Sequence, residues 1–248
     1  MKKNALNKGF TLVEIAIALV LIGLIVSGII AGQSIIENST RSSVIQEAAR
    51  MKTAINAYRL EYSQLPGDHN EASLYFPDAR DGDNDGQIVG FNAEAFAFWH
   101  HLSLAEIIPV GLTGVVTDSP IMGENLPVAP TGPGDGWYGF YAGITGNGWS
   151  NADSPFYGRY GNFIGIGGEG GTQYIDHGVV SGEFAMAIDE KIDDGLPHKG
   201  RFFAQKGIAA STGTWINGCV DQIPTVDASV DVNYDLTEGR FCRLIFWY

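Results

Sequence analysis

The chain has 248 residues, enough for one packed domain with an appended segment, and its 45% hydrophobic content excludes wholesale disorder. With 15 basic against 28 acidic residues and a formal net charge of -13, it is poorly suited to nonspecific nucleic-acid binding, because phosphate contacts need Lys and Arg. Lys2, Lys3 and Lys8 all precede Phe10, so beyond residue 9 the balance is 12 basic against 28 acidic, an excess that suits a secreted or surface protein or one that binds cations.

The first predicted element is a membrane helix. A basic start leads into Ile15 to Ile36, 22 residues with no charge, just after Glu14. That run is longer than the apolar core of roughly 7–15 residues in a secretory signal, and no A-x-A-like cleavage site follows it cleanly. It is long enough to cross a hydrocarbon layer of about 30 Å as a helix. The three lysines place its start on the cytoplasmic side, which predicts a single-pass inner-membrane anchor with the body outside. Beyond Glu37 the helix turns amphipathic: Val44, Ala48, Met51, Ile55, Tyr58, Tyr62 and Leu65 form one apolar stripe, with Arg41, Glu47, Arg50, Lys52 and Arg59 opposite. Pro66-Gly67 is expected to end it. The expectation is one helix over residues 10–65, roughly 80 Å long at about 1.5 Å per residue, or two helices bent near Gly28 or Gly32.

The body, residues 66–248, reads as one α+β domain laid on the second half of the long helix, with an antiparallel sheet. Asn92 to Ile108 is a predicted helix stopped by Pro109, and Phe184 to Ile192 a shorter one ended by Asp193-Asp194-Gly195, itself read as a turn. Strand-like runs are Trp137–Ile144, Phe156–Ile166, Arg201–Ala204 and Phe241–Phe246. The glycine-rich stretches Thr131–Gly136 and Gly165–Gly171 are expected to be loops; the second lacks the Gly-Lys-Ser/Thr ending of a phosphate loop.

One stretch has the pattern of a cation site. Asp81-Gly-Asp-Asn-Asp-Gly-Gln-Ile88 matches the first eight positions of an EF-hand-type loop. Asp81, Asp83 and Asp85 are spaced to converge on one centre, Gly86 permits the sharp turn, the Gln87 carbonyl supplies a neutral oxygen and Asn92 occupies position twelve, where an EF-hand has Glu. Asp78, Asp68 or Glu94 could complete the set, and hard oxygen ligands favour calcium over zinc. The alternative is a solvated Asp/Gly turn. His100-His101 has no partner at zinc-ligand spacing and reads as surface or packing histidines. Cys219 and Cys242 are expected to form a disulfide if the body is exported, closing a loop of about two dozen residues and contributing roughly 3 kcal/mol in the chain-entropy account; otherwise they are two buried thiols. No spacing of Asp, His and Ser specifies a hydrolase, so the chain does not read as an enzyme.

The residues Lys8-Gly9-Phe10-Thr11-Leu12-Val13-Glu14 and the long apolar helix after them resemble the start of a type IV pilin or type II secretion pseudopilin precursor. Looser similarity to large pseudopilin-like proteins extends to Leu65-Pro-Gly-Asp68, the stretch 98–108 and Ala187–Gly200. The resemblance implies that a prepilin peptidase removes residues 1–9 by cutting between Gly9 and Phe10, and methylates the new Phe10 amine. It further implies that the chain joins other pilin or pseudopilin subunits at an inner-membrane assembly platform, and that Glu14 matters for assembly. A carboxylate in hydrocarbon is costly unless paired, and the Phe10 ammonium of a neighbouring subunit would pair it; the alternative is a Glu that snorkels to the headgroups. A body larger than that of a typical major pilin leaves a second role open: a minor pilin acting as adhesin or DNA-uptake component, with Arg201, Lys206, Arg240 and Arg243 as its basic patch.

Overall fold

The computed structural model describes residues 11–88, 93–115, 120–142, 161–169, 175–207, 218–221 and 232–248. In chain order the elements are α1 (Leu12–Tyr62), α2 (Ala72–Tyr75), α3 (Ala95–Leu104), β1 (Asp135–Ala142), β2 (Gly161–Gly168), α4 (Gly182–Ile192), β3 (Phe202–Lys206) and β4 (Cys242–Trp247). The fold is α+β, with one long N-terminal helix followed by a part built on a four-stranded antiparallel sheet, as in a pilin-like fold. The chain divides into two compact units, Met1–Ser42 and Ser43–Tyr248.

In the first unit, α1 is apolar all round. Every side chain from Leu12 to Ile30 is exposed, and the segment is long and apolar enough to cross a membrane. Gly23, Gly28 and Gly32 do not interrupt the helix. Where charge returns, Glu37 and Arg41 pair at 2.5 Å, with the acid N-terminal to the base at the favourable i, i+4 spacing.

In the second unit, α1 buries Val44, Ala48, Ala54, Ile55 and Tyr58. The helix ends at Tyr62, three residues before the expected end at residue 65. Ser63 takes a left-handed conformation (φ 58°), and its N–H bonds back to the Arg59 carbonyl at 2.9 Å. A single left-handed residue closes the last turn before proline could. The same device shortens α3, expected to reach Ile108. Glu106 is left-handed (φ 56°), and the N–H groups of Ile107 and Ile108 both turn back to the Leu102 carbonyl. The expected start at Asn92 lies outside the described residues. Glu47, assigned by periodicity to the polar face, accepts a 3.0 Å bond from the buried Trp137 indole.

The sheet order is β1-β2-β4-β3, every pair antiparallel. All four strands fall where strand-like runs were expected, although residues 143–144 and 156–160 of those runs lie outside the described residues. One face carries Trp137, Ile164, Ile166, Leu244, Phe246, Phe202 and Ala204, all buried. The other carries Tyr138, Phe140, Phe163, Ile245 and Phe203, with Phe140 and Phe163 at 4.2 Å between ring centroids. Gly165 and Ile166, where an expected strand overlapped an expected loop, and Gly167 and Gly168, read as loop, are all strand. A β-carbon at Gly165 would lie 2.6 Å from the Tyr138 ring and 2.7 Å from the Leu244 carbonyl. Glycine is there for close packing rather than for a turn.

Arg243 is fully buried and donates to Gln205 and to the Lys206 carbonyl. Arg240 pairs with Asp135. Of the notional basic patch, Arg243 is therefore interior and the half-exposed Arg240 is engaged with Asp135. The Cys219–Cys242 disulfide is formed, with Cα atoms 4.9 Å apart. Helix α4 opens on Ser181, whose side chain accepts from the Phe184 N–H at 3.2 Å, an N-cap that starts the helix two residues before the expected Phe184.

On α4, Asp189 is fully buried and accepts the Tyr234 hydroxyl at 2.7 Å. Burial holds its carboxyl up at about 6, the Tyr234 bond opposing that shift and Asp194 and Asp193 adding to it. An acid with a raised folded value weakens the fold as pH climbs from the ordinary carboxyl range to about 6. Asp189→Asn should melt at a higher temperature than the parent at pH 7 and at the same temperature near pH 4, as read by calorimetry at both values.

Candidate functional site

Two constellations carry the chemistry expected of this chain. The first is the start of α1. Glu14 folds back on Thr11: its carboxylate accepts from the Thr11 N–H and hydroxyl, each at 2.8 Å, while the Thr11 hydroxyl accepts from the Glu14 N–H at 3.3 Å. This is a reciprocal capping box. It satisfies backbone donors that hydrocarbon would leave bare, and it directs the carboxylate toward the N-terminal end of the helix. Gly9 and Phe10 lie outside the described residues. The Thr-x-x-Glu spacing that produces the box is plain in the sequence, but the apolar run and the basic leader drew the reading elsewhere.

The second is the acidic loop after α2. Asp83 and Asp85 are brought together with Asp68, ligand atoms of all three lying within 4.8 Å of one another. Asp68, one of three residues considered for completing the set, is almost fully buried and organises the loop. Its carboxylate accepts from the Asp85 and Gly86 N–H groups at 3.0 and 2.9 Å, and its carbonyl from the Asn84 N–H at 3.0 Å. Burial raises its carboxyl above the usual range, while the bonds from Gly86 and Asp85 pull the other way. Asp81 turns away from this group. It accepts from the Ser73 N–H at 2.8 Å and hydroxyl at 2.9 Å, satisfying a backbone donor in α2, and these bonds hold its carboxyl below the usual range. The Gln87 N–H donates to Asp85 at 2.7 Å; Asn92 lies outside the described residues.

The loop is fastened to the body through close backbone contact and histidine. At Gly82 a β-carbon would sit 2.4 Å from the Asp68 backbone. His101, far from a surface residue, is fully buried. Its Nδ1 accepts from the Gly67 N–H at 2.9 Å, so Nε2 carries the proton and donates to the Arg80 carbonyl at 2.8 Å. The Tyr58 hydroxyl meets His69 Nδ1 at 2.7 Å, and the Tyr58 ring stacks on His101 with centroids 6.0 Å apart. Helix α1, the Pro66-Gly67 turn, the loop and α3 are thereby tied at one point. Asp68 was one of three acids that could complete the set, but no sequence signal pointed to Ser73 or to the His101 bridge.

Three acidic oxygens at this spacing suit a hard cation. Calcium–oxygen distances of about 2.3–2.6 Å place ligands up to about 5 Å apart across the ion, and the 4.8 Å grouping falls within that limit.

Residues 4–30 match the family model of the prokaryotic N-terminal methylation motif, the signature of type IV pilins and pseudopilins. No curated protein and no solved structure matches the chain. The motif implies processing by prepilin peptidase and assembly with other pilin subunits, and with the long apolar helix it fits a membrane-anchored, structural pilin-type precursor.

Burial pushes the His101 imidazole down to about 4. A depressed histidine contributes stability that is complete above about 6.5 and is lost as pH falls toward the folded value, because imidazolium cannot accept the Gly67 N–H. His101→Gln should be less stable than the parent at pH 7 by about 1–3 kcal/mol. The gap should shrink as pH falls from 6.5 to 4, as measured by urea unfolding across that range.

Proposed function

We propose that the chain is a structural subunit of a type II secretion pseudopilus or a related type IV filament. It is inserted in the inner membrane with its globular unit on the far side, cut between Gly9 and Phe10, and stacked through α1 from an assembly platform. The observation that carries this reading is the match of residues 4–30 to the methylation motif. It is supported by an apolar helix whose side chains are exposed from Leu12 to Ile30, a surface that only lipid or other helices can cover. The Glu14 carboxylate pairs with the Phe10 ammonium of a neighbouring subunit, and the Thr11 bonds hold it at the helix start for that encounter.

The same reading gives the acidic loop a task. Asp68, Asp83 and Asp85 hold a calcium ion that fixes the loop outside the cell membrane, where calcium is plentiful. Asp68 carries its share because its position is set by the loop backbone.

Gly9→Val should leave the precursor uncut, seen as a slower band on a gel. Glu14→Ala should be cut normally yet lower filament yield more than tenfold, because it strands a partner charge at a cost of about 3–5 kcal/mol. Wild-type filament levels in Glu14→Ala would remove the assembly role. For the loop, calcium at one hundred times its dissociation constant should add about 2.7 kcal/mol, raising the melting temperature by roughly 5–10 °C. Asp68→Asn should abolish that rise, and an unchanged melting temperature in millimolar calcium would end the proposal.

A further inference from the structure

A cleft of about 230 Å³ opens in the globular unit between the second half of α1, the end of α4 and β3. Ala48, Phe202 and Phe246, all buried, form its apolar floor. Lys52 and Arg201 also line it. The third charged group there, Asp193, is already engaged, its carboxylate accepting from the Arg201 and Phe202 N–H groups. Burial and the neighbouring Arg201 push the Lys52 ammonium down, and Asp193 opposes them. With Lys52 and Arg201 against the one carboxylate of Asp193, the cleft keeps a net positive charge over its apolar floor, which an incoming anion complements. An apolar cavity of about 150 Å³ accepts a benzene-sized group, so the cleft can seat a large aliphatic side chain.

An exposed apolar residue followed by an acid lies at the other end of α4. The cleft borders the C-terminal end of that helix, at Ile192 and Asp193. At its N-terminal end, Gly182 sits against the Asp235 carbonyl, so close that a β-carbon would fall 1.9 Å from it. The intervening 11 residues span about 16 Å at about 1.5 Å per residue. From there projects Leu236, 58% exposed, followed by the exposed Glu238. The Asp235 carboxylate accepts from the Thr237 N–H at 2.9 Å and hydroxyl at 2.6 Å, which fixes the loop in place. Leu60 is more exposed, at 87%, but it stands on α1, the helix that also carries Lys52.

We propose that the cleft receives the Leu236–Glu238 loop of a second copy of this chain, Leu236 resting on Phe202 and Phe246 and Glu238 facing Lys52 and Arg201. Cleft and loop occupy opposite ends of α4 on one molecule, so the contact is head-to-tail. Such an interface does not close on itself and propagates as an open helical array. The proposal rests on the filament reading and adds to it a contact that sets the register of the globular units.

The test uses full-length chains in cells, with Ala49→Cys in one copy and Thr237→Cys in a coexpressed second, joined by a short bis-maleimide. A covalent dimer should form from the pair and not from either variant alone. Glu238→Lys should cut its yield at least fivefold, Lys52→Glu likewise, and the two exchanges together should restore at least half, with all variants melting within a few degrees of the parent. Filaments without the 49–237 cross-link, a yield indifferent to Glu238→Lys, or no recovery in the double exchange would overturn the contact and leave the filament reading standing. Absence of leader cleavage and of filaments in the parent would overturn that reading and this contact with it.

Discussion

The globular unit depends on one stripe of α1. Val44, Ala48, Ile55 and Tyr58 are buried, and the Trp137 indole, itself without exposed surface, finds its hydrogen-bond partner in Glu47 of the same helix. A buried indole N–H needs such a partner, so the bond fixes β1 against the helix as well as satisfying the donor. At the far end of the stripe, Tyr58 reaches His69 and stacks on His101. The helix that supplies the floor of the core thereby also places the turn from which the acidic loop is hung. A shift of the stripe by one residue would turn Tyr58 about 100° around the helix and away from both histidines.

What could be read in the sequence follows from period and spacing. The stripe was legible because its apolar residues recur at helical intervals, and the strands because their apolar runs are short and bounded by glycine. Helix ends were not, since Ser63 and Glu106 terminate α1 and α3 by adopting left-handed backbone, a choice that no residue type announces when it is not Gly or Asn. Gly165 to Gly168 were assigned to a loop, Gly165 and Ile166 to a strand as well, for a related reason. Glycine marks both a turn and a place where something must come close, and only the Tyr138 ring tells the two apart. The overall charge argued against nucleic acid while a local patch around Arg201, Lys206, Arg240 or Arg243 stayed open, and of these Arg243 is interior.

The acidic loop shows where spacing stops being informative. Alternation brought Asp83 and Asp85 to one side, but Asp81 was drawn off to Ser73, because a backbone N–H of a very short helix lies within its reach. The third carboxylate is contributed by Asp68, from beyond the loop. Its carboxylate already binds two backbone N–H groups, so the loop has its shape independent of any ion. At the start of α1, Glu14 follows the same logic: a carboxylate in an expensive place is held by local donors before any distant partner arrives.

Strand β4 lies between β2 and β3, and among the described residues β3 pairs with no other strand. The sheet therefore cannot close until residues 242–247 are present, however early the rest of the chain emerges. Every strand contact that integrates β3 spans long sequence separation, and such pairings form late and slowly. Until β4 arrives, the buried phenylalanines Phe202 and Phe203 have no sheet to join and remain exposed to aggregation. A chain assembled in this order keeps its sheet open until residues 242–247 have been made, and only then can the core lock.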